Sequence, residues 1–202
     1  MSEPRSWPPG KLLALDLGLA RIGVATCDPL GLAARPLTVI QRRSRRDDFA
    51  QLARLVDEQE AVAVVCGLPL NMDGSEGQQA RTTRKWAERL AYALRALQGR
   101  VTPVIFWDER LSTFAAQEIL SHSGKDSVEY IAEYIAEDAA AAAVILQSYL
   151  DARRRADERN FGEIRLEMVD ATQSARQINE VKSVWLAGRE SRLEIGSSYL
   201  TS

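Results

Sequence analysis

Two apolar runs, residues 11–17 and 21–27, are separated by a link of three residues that opens on Gly18. A link that short joins antiparallel neighbours, because a parallel return needs a crossover of about a dozen residues or more. The turn "DPLG" (28–31) then leads to a third candidate strand, "RPLTVIQR" (35–42), so the chain opens as an antiparallel meander. Beyond it the hydrophobic period changes. Phe49, Leu52, Leu55 and Val56 stand at helical spacing within residues 46–59. "AVAVVCGLP" (61–69) reads as a buried central strand closed by glycine and proline. After the loop "LNMDGSEG", Ser75 is the expected N-cap of a helix running to about residue 98, with Trp86, Leu90, Leu94 and Leu97 on its buried face. A strand "VTPVIFWDE" (101–109), a helix over about 113–121 and a last helix over about 128–155 complete the order β-β-β-α-β-α-β-α-α. Strands alternating with helices after a meander predict an α/β fold, a mixed sheet between helical layers.

Composition removes several functional classes. The 202 residues are 46% hydrophobic and 27% charged, as in an ordinary globular protein. No apolar stretch approaches the roughly 20 residues that span a bilayer, so no membrane partner is expected. Residues 1–10 lack the apolar segment of a signal peptide and read as a flexible arm, which places the protein in the cytoplasm by default. Cys27 and Cys66 form no C-x-x-C pair and read as buried thiols, and His122 is the single histidine, so zinc and histidine-triad chemistry are poorly supported. At a net charge of −2, any polyanion must be held by a local basic patch or by metal ions. The run "RRSRR" (42–46) is the clearest basic cluster. Residues 152–202 are polar and weakly periodic, and are set apart as an extension.

One acid, Asp16, sits inside the apolar run "LALDLGLARIGVA", where a carboxylate without a partner is costly. The glycines Gly18 and Gly23 have the spacing of a phosphate loop, but Val24-Ala25 stand where lysine and a hydroxyl are required, and G-x-G-x-x-G is absent. The pair reads instead as a tight turn between two strands. Asp108 and Glu109 close another strand, and Asp138 lies mid-helix directly before "AAAAA" (139–143). Three acids approaching one sheet edge repel one another strongly, and a hard cation removes that repulsion. Two magnesium ions about 4 Å apart would activate water and stabilise a leaving oxygen in phosphodiester hydrolysis.

"LALDLGLARIGVATCDPLG", "RPLTVI", "VVCGLPLNMDGSEG", "WDERLST" and "EDAAAAAVILQSYLD" stand in the order and spacing of the YqgF-type family of Holliday-junction-resolvase-like proteins and pre-16S ribosomal RNA nucleases. The resemblance covers about residues 11–151. It implies the ribonuclease-H-like fold, five strands with helices on both faces, and a nuclease dependent on Mg2+ or Mn2+, with two ions bound. Residue by residue, it implies Asp16, Glu109 and Asp138 as catalytic metal ligands. Asp108 is the alternative to Glu109, since neighbours on a strand point to opposite faces. Many ribonuclease-H-like nucleases carry an acid at the end of the strand after the first helix; here that strand ends in Gly67-Leu68-Pro69. Relatives often place a lysine-rich loop before the last acid, and this chain has only Lys125 there. Arg21, Asn71 and Arg110 lie in segments expected to border the substrate.

The implied substrate is nucleic acid: the 5′ end of precursor 16S ribosomal RNA, or alternatively a branched DNA junction, since the acids report how a phosphodiester is cut and not which polymer holds it. Two other classes compete. An ATP-dependent phosphotransferase with the same fold would share "DLGLARIG", but it needs two such domains where this chain has room for one. A non-catalytic nucleic-acid-binding module would keep the fold without its chemistry; acids at all three positions argue against it.

Overall fold

The computed structural model describes residues 10–108, 127–155 and 163–164. The meander forms as expected: β1 (Leu12–Leu17), β2 (Arg21–Cys27) and β3 (Ala34–Gln41) pair antiparallel in sequence order. Helix α1 (Arg45–Glu58) leads to β4 (Ala63–Leu68), which pairs parallel to β1. Helix α2 (Gln78–Gln98) leads to β5 (Val104–Asp108), parallel to β4. Helix α3 (Ser127–Arg154) follows, and β6 (Glu163–Ile164) adds two antiparallel pairs to the edge of β5. The sheet order is β3-β2-β1-β4-β5-β6, five principal strands and a short edge. The helix expected over 113–121 lies outside the described residues.

Side-chain alternation sorts the sheet into two cores. Leu13, Leu15, Ile22, Val24, Val64, Cys66, Leu68, Val104 and Phe106 face α1 and α2, packing with Leu52, Val56, Leu90 and Leu94. Leu12, Ala14, Ala25, Cys27, Ala63, Val65, Ile105 and Trp107 face α3, against Ile145, Leu146 and Tyr149. Burial on both faces is why the central strands read as continuous apolar runs rather than as alternation. The two cysteines form no disulfide and are buried on opposite faces of the sheet. Burial pushes the Cys27 thiol up.

Local chemistry sets the helix ends. Ser44 caps α1 by accepting from the Asp47 N–H at 3.2 Å, and Asp47 and Asp48 favour the positive end of the helix dipole. Ser75 does not cap α2, contrary to expectation. Its hydroxyl is held by Asp73 Oδ1 at 2.6 Å and by Asn71 Nδ2 at 2.9 Å, so the loop consumes it and α2 starts at Gln78 behind Gly77. Gly99, at φ 69°, ends α2 in the left-handed conformation that glycine adopts without penalty. Trp86, Leu90 and Leu94 are buried as expected, and Leu97 packs against the same core. Phe49 and Trp86 meet edge-on at 5.2 Å and tie α1 to α2. On the other face, Trp107 donates to Ser148 Oγ at 3.1 Å, and Gln147 Oε1 accepts from the Ala34 N–H at 2.8 Å, which anchors α3 across the sheet.

Candidate active site

Asp16 is the penultimate residue of β1, at the carboxyl end of a strand in the middle of the sheet. Alternation with Leu12 and Ala14 turns its side chain toward α3. Its partner across the ladder is Gly23. An added Cβ at Gly23 would lie 2.0 Å from the Asp138 carbonyl oxygen and 2.6 Å from its carbon. The helix backbone therefore rests directly on the glycine. This corrects the reading of both glycines as turn residues. Gly18 does shape the hairpin, with its absent Cβ 2.9 Å from the Arg21 carbonyl oxygen, whereas Gly23 lies inside β2 and opens space for α3. A glycine in a strand interior is the sequence signal for such a close approach. Ala139 and Ala142, buried beneath the same stretch of helix, keep the contact short.

The docking brings Asp138 alongside Asp16. Burial first, and then the negative charge of Asp138, pushes the Asp16 carboxyl up to about 6. Among the described residues no cation is paired with Asp16. Arg21, two residues before Gly23 on the same strand face, ion-pairs through Nε with Asp138 Oδ2. The structure thus gathers Asp16, Asp138 and Arg21 at one sheet end.

Asp108 is not part of this group. It stands opposite Leu68 in the ladder, and the alternation Val104, Phe106, Asp108 carries it to the α1/α2 face, where it is only 2% exposed. Glu109 and Arg110 themselves lie outside the described residues. Among the described residues no cluster of three metal-ligating side chains occurs.

Because β1 and β4 run parallel, the loop after β4 leaves the sheet at the same end as Asp16. Asn71 organises this loop: its N–H bonds the Ser75 carbonyl at 2.9 Å, its carbonyl accepts from Gly74 N–H at 2.8 Å, and its amide donates to Ser75 Oγ. A Cβ on Gly77 would come within 2.7 Å of Asn71 Oδ1, so that glycine makes room for the asparagine. Arg84 Nε donates to Glu76 Oε1 at 2.6 Å while its guanidinium stacks 4.5 Å from the Phe106 ring centre, fastening the loop to α2. This pair holds the Glu76 carboxyl below its usual range. Neither Glu76 nor Arg84 stood out in the sequence, since nothing local marks a contact eight residues apart across a helix start. Arg42, the first member of the basic run, donates to the Gly18 carbonyl at 2.7 Å and lies 3.7 Å from Asp48. It buttresses the hairpin that carries Asp16.

Two carboxylates converging beside a glycine cradle, one of them driven upward by burial and mutual repulsion, are a hard-oxygen donor set suited to a divalent cation. Residues 10–152 match the family model described as RuvX, Holliday junction resolvase. The chain belongs to the RuvX family. It is 48% identical over 143 residues to an Anaeromyxobacter protein named "Putative pre-16S rRNA nuclease", a match covering 71% of this chain and 98% of the relative. A Myxococcus xanthus protein of the same name is 46% identical over 147 residues, covering 73% and 91%. Of the solved structures, T. thermophilus RuvC in complex with a Holliday junction substrate aligns with a TM-score of 0.46 at 14% identity, covering 75% of this chain and 99% of that one. The RuvX match spans the segment on which the resemblance rested, and the mixed sheet with helices on both faces is the architecture expected of it.

Proposed function

We propose that this RuvX-family protein is a divalent-metal-dependent nuclease that hydrolyses phosphodiester bonds at the 5′ end of precursor 16S ribosomal RNA. The observation that carries the reading is the seating of Asp138 on Gly23, which sets a second carboxylate beside Asp16. The names of the relatives at 48% and 46% identity favour ribosomal RNA over a DNA junction as substrate. Residues 11–151 form the nuclease domain, and 152–202 extend it.

In this reading Asp16, Asp138 and Glu109 hold Mg2+ or Mn2+, with two ions bound. When bound, such ions supply neutralisation of the phosphate charge and a more acidic water. The protein's own residues do the positioning. Gly23 and the alanines of α3 fix the separation of Asp16 and Asp138, and Asn71 keeps the loop after β4 in shape beside the substrate path. Arg21 and Arg110 offer guanidinium groups to phosphate oxygens, which suit their planar fork.

The test is cleavage of a labelled precursor 16S fragment and of a four-way DNA junction by the purified chain, with Mg2+, Mn2+ or chelator. Cleavage of the RNA should need the ion, and Asp16→Asn or Asp138→Asn should lower the rate by about a hundredfold or more, the scale of losing several kcal/mol of metal-derived stabilisation. Asp108→Asn should keep the metal dependence. If Asp16→Asn cleaves as the unaltered chain does, the reading fails. If only the junction is cut, the chemistry stands and the substrate assignment falls.

A further inference from the structure

The metal site read above contains a cation of its own, the guanidinium of Arg21. We infer that Arg21 is the resident counter-ion of Asp138 in the metal-free protein, and that a divalent cation must displace it, freeing the guanidinium for a nucleic-acid phosphate. The inference rests on the assignment of Asp16 and Asp138 as metal ligands.

Three observations carry it. First, the pairing follows from the strand: Arg21 and Gly23 share one face of β2, and Gly23 lets α3 descend until the Asp138 carboxylate reaches the arginine. Second, the pair is one-sided. Arg21 engages Asp138 Oδ2, while Asp16 has no cation among the described residues, so the ionised pair of acids stays one positive charge short. Among the described residues, two carboxylates thus face one guanidinium, a net negative charge that a divalent ion would balance. Third, the Arg21 side chain is 29% exposed and belongs to neither core, so the ion pair lies at the solvent edge of the sheet. An oxygen engaged by a guanidinium is not free to ligate an ion of Mg2+ size, whose short and demanding coordination requires the lone pairs directly. Metal loading and phosphate binding are then linked through one side chain. The ion takes Asp138, and Arg21 exchanges a carboxylate for a phosphate, both of which its fork fits.

The experiment measures Mn2+ binding by calorimetry on the full chain without nucleic acid, beside binding of a short RNA under Ca2+. Arg21→Gln should bind Mn2+ about fivefold more tightly, the equivalent of removing one competing ion pair of modest strength. The same variant should bind RNA about fivefold more weakly in Ca2+, with little difference in chelator. Unchanged or weaker Mn2+ binding in Arg21→Gln, while Asp16→Asn and Asp138→Asn abolish it, would overturn the inference and leave the metal site standing. Mn2+ binding that survives both aspartate substitutions would remove the metal site, and the inference with it. Should Arg21→Gln fail to give the cooperative melt of the unaltered chain, Arg21→Lys serves instead. Its compact ammonium holds a carboxylate less firmly, so Mn2+ should again bind more tightly, and no gain overturns the inference.

Discussion

Replacing Gly23 with alanine probes the contact on which the site depends. The new methyl carbon would sit 2.0 Å from the Asp138 carbonyl oxygen and 2.6 Å from its carbon, with the Ala139 nitrogen at 3.3 Å. All three are backbone atoms in a helix, so no rotamer change relieves the clash. To reach the 3.0 Å that real Cβ contacts respect, α3 must withdraw by about 1 Å at this point. It cannot do so freely, because Trp107–Ser148 and Gln147–Ala34 hold its other half to the sheet. Overpacking of this kind costs up to about 3 kcal/mol. In a chain of this size that lowers Tm by roughly 6–12 °C. Catalysis should suffer separately, since a misplacement of about 1 Å in a reacting group can cost about a hundredfold in rate. The assay is a thermal melt by circular dichroism, followed by cleavage measured well below the lowered Tm. Gly18→Ala is the comparison, its new carbon meeting the Arg21 carbonyl oxygen at a less severe 2.9 Å. If Gly23→Ala melts with the unaltered protein and cleaves at its rate, α3 does not rest on β2 there.

Asp16 titrates near 6 in the folded protein against a usual 3.8, so between those values the folded state binds more protons than the unfolded one and metal-free stability falls as pH rises. Urea melts in chelator from pH 4 to 7 should show that decline, Asp16→Asn should flatten it, and a rise with pH across that window in the unaltered chain would contradict the assignment. Asn71→Ala loses the 2.9 Å bond to Ser75 Oγ and keeps the backbone bonds of the loop, and that bond accounts for a stability loss of about 1 kcal/mol. If Asn71 also borders substrate, cleavage must fall further than that loss explains; equal falls would leave it a purely structural residue. Deleting residues 156–202 removes β6, which contributes only two register pairs at the β5 edge. The truncated chain should still melt cooperatively, and broad melting or aggregation would show that the extension completes the core.

The strands and most helix limits were legible in the sequence, because burial on two faces writes apolar runs and burial on one face writes a 3.6-residue period. β2 spans 21–27 as read, and α3 begins and ends within a residue of its expected limits. The acids were legible too, since Asp16 is conspicuous inside an apolar strand and Asp138 before a run of alanines. What could not be read was which groups meet. Ser75 has the chemistry of a cap, and only the competing Asn71 and Asp73 in the folded loop take it away. Gly23 looks like a turn residue until a helix more than a hundred residues later is laid on it. Asp108 and Glu109 are interchangeable as letters; the register of β5 against β4 sends Asp108 to the α1/α2 face. Arg21 stands out in the sequence as a cation near the turn, and its ion pair with Asp138 exists only once α3 has docked. Hydrophobic period is a local property, fixed by which side of an element is buried. Charge pairing and close backbone approach join segments far apart in the chain, and their partners exist only once the sheet and α3 have docked.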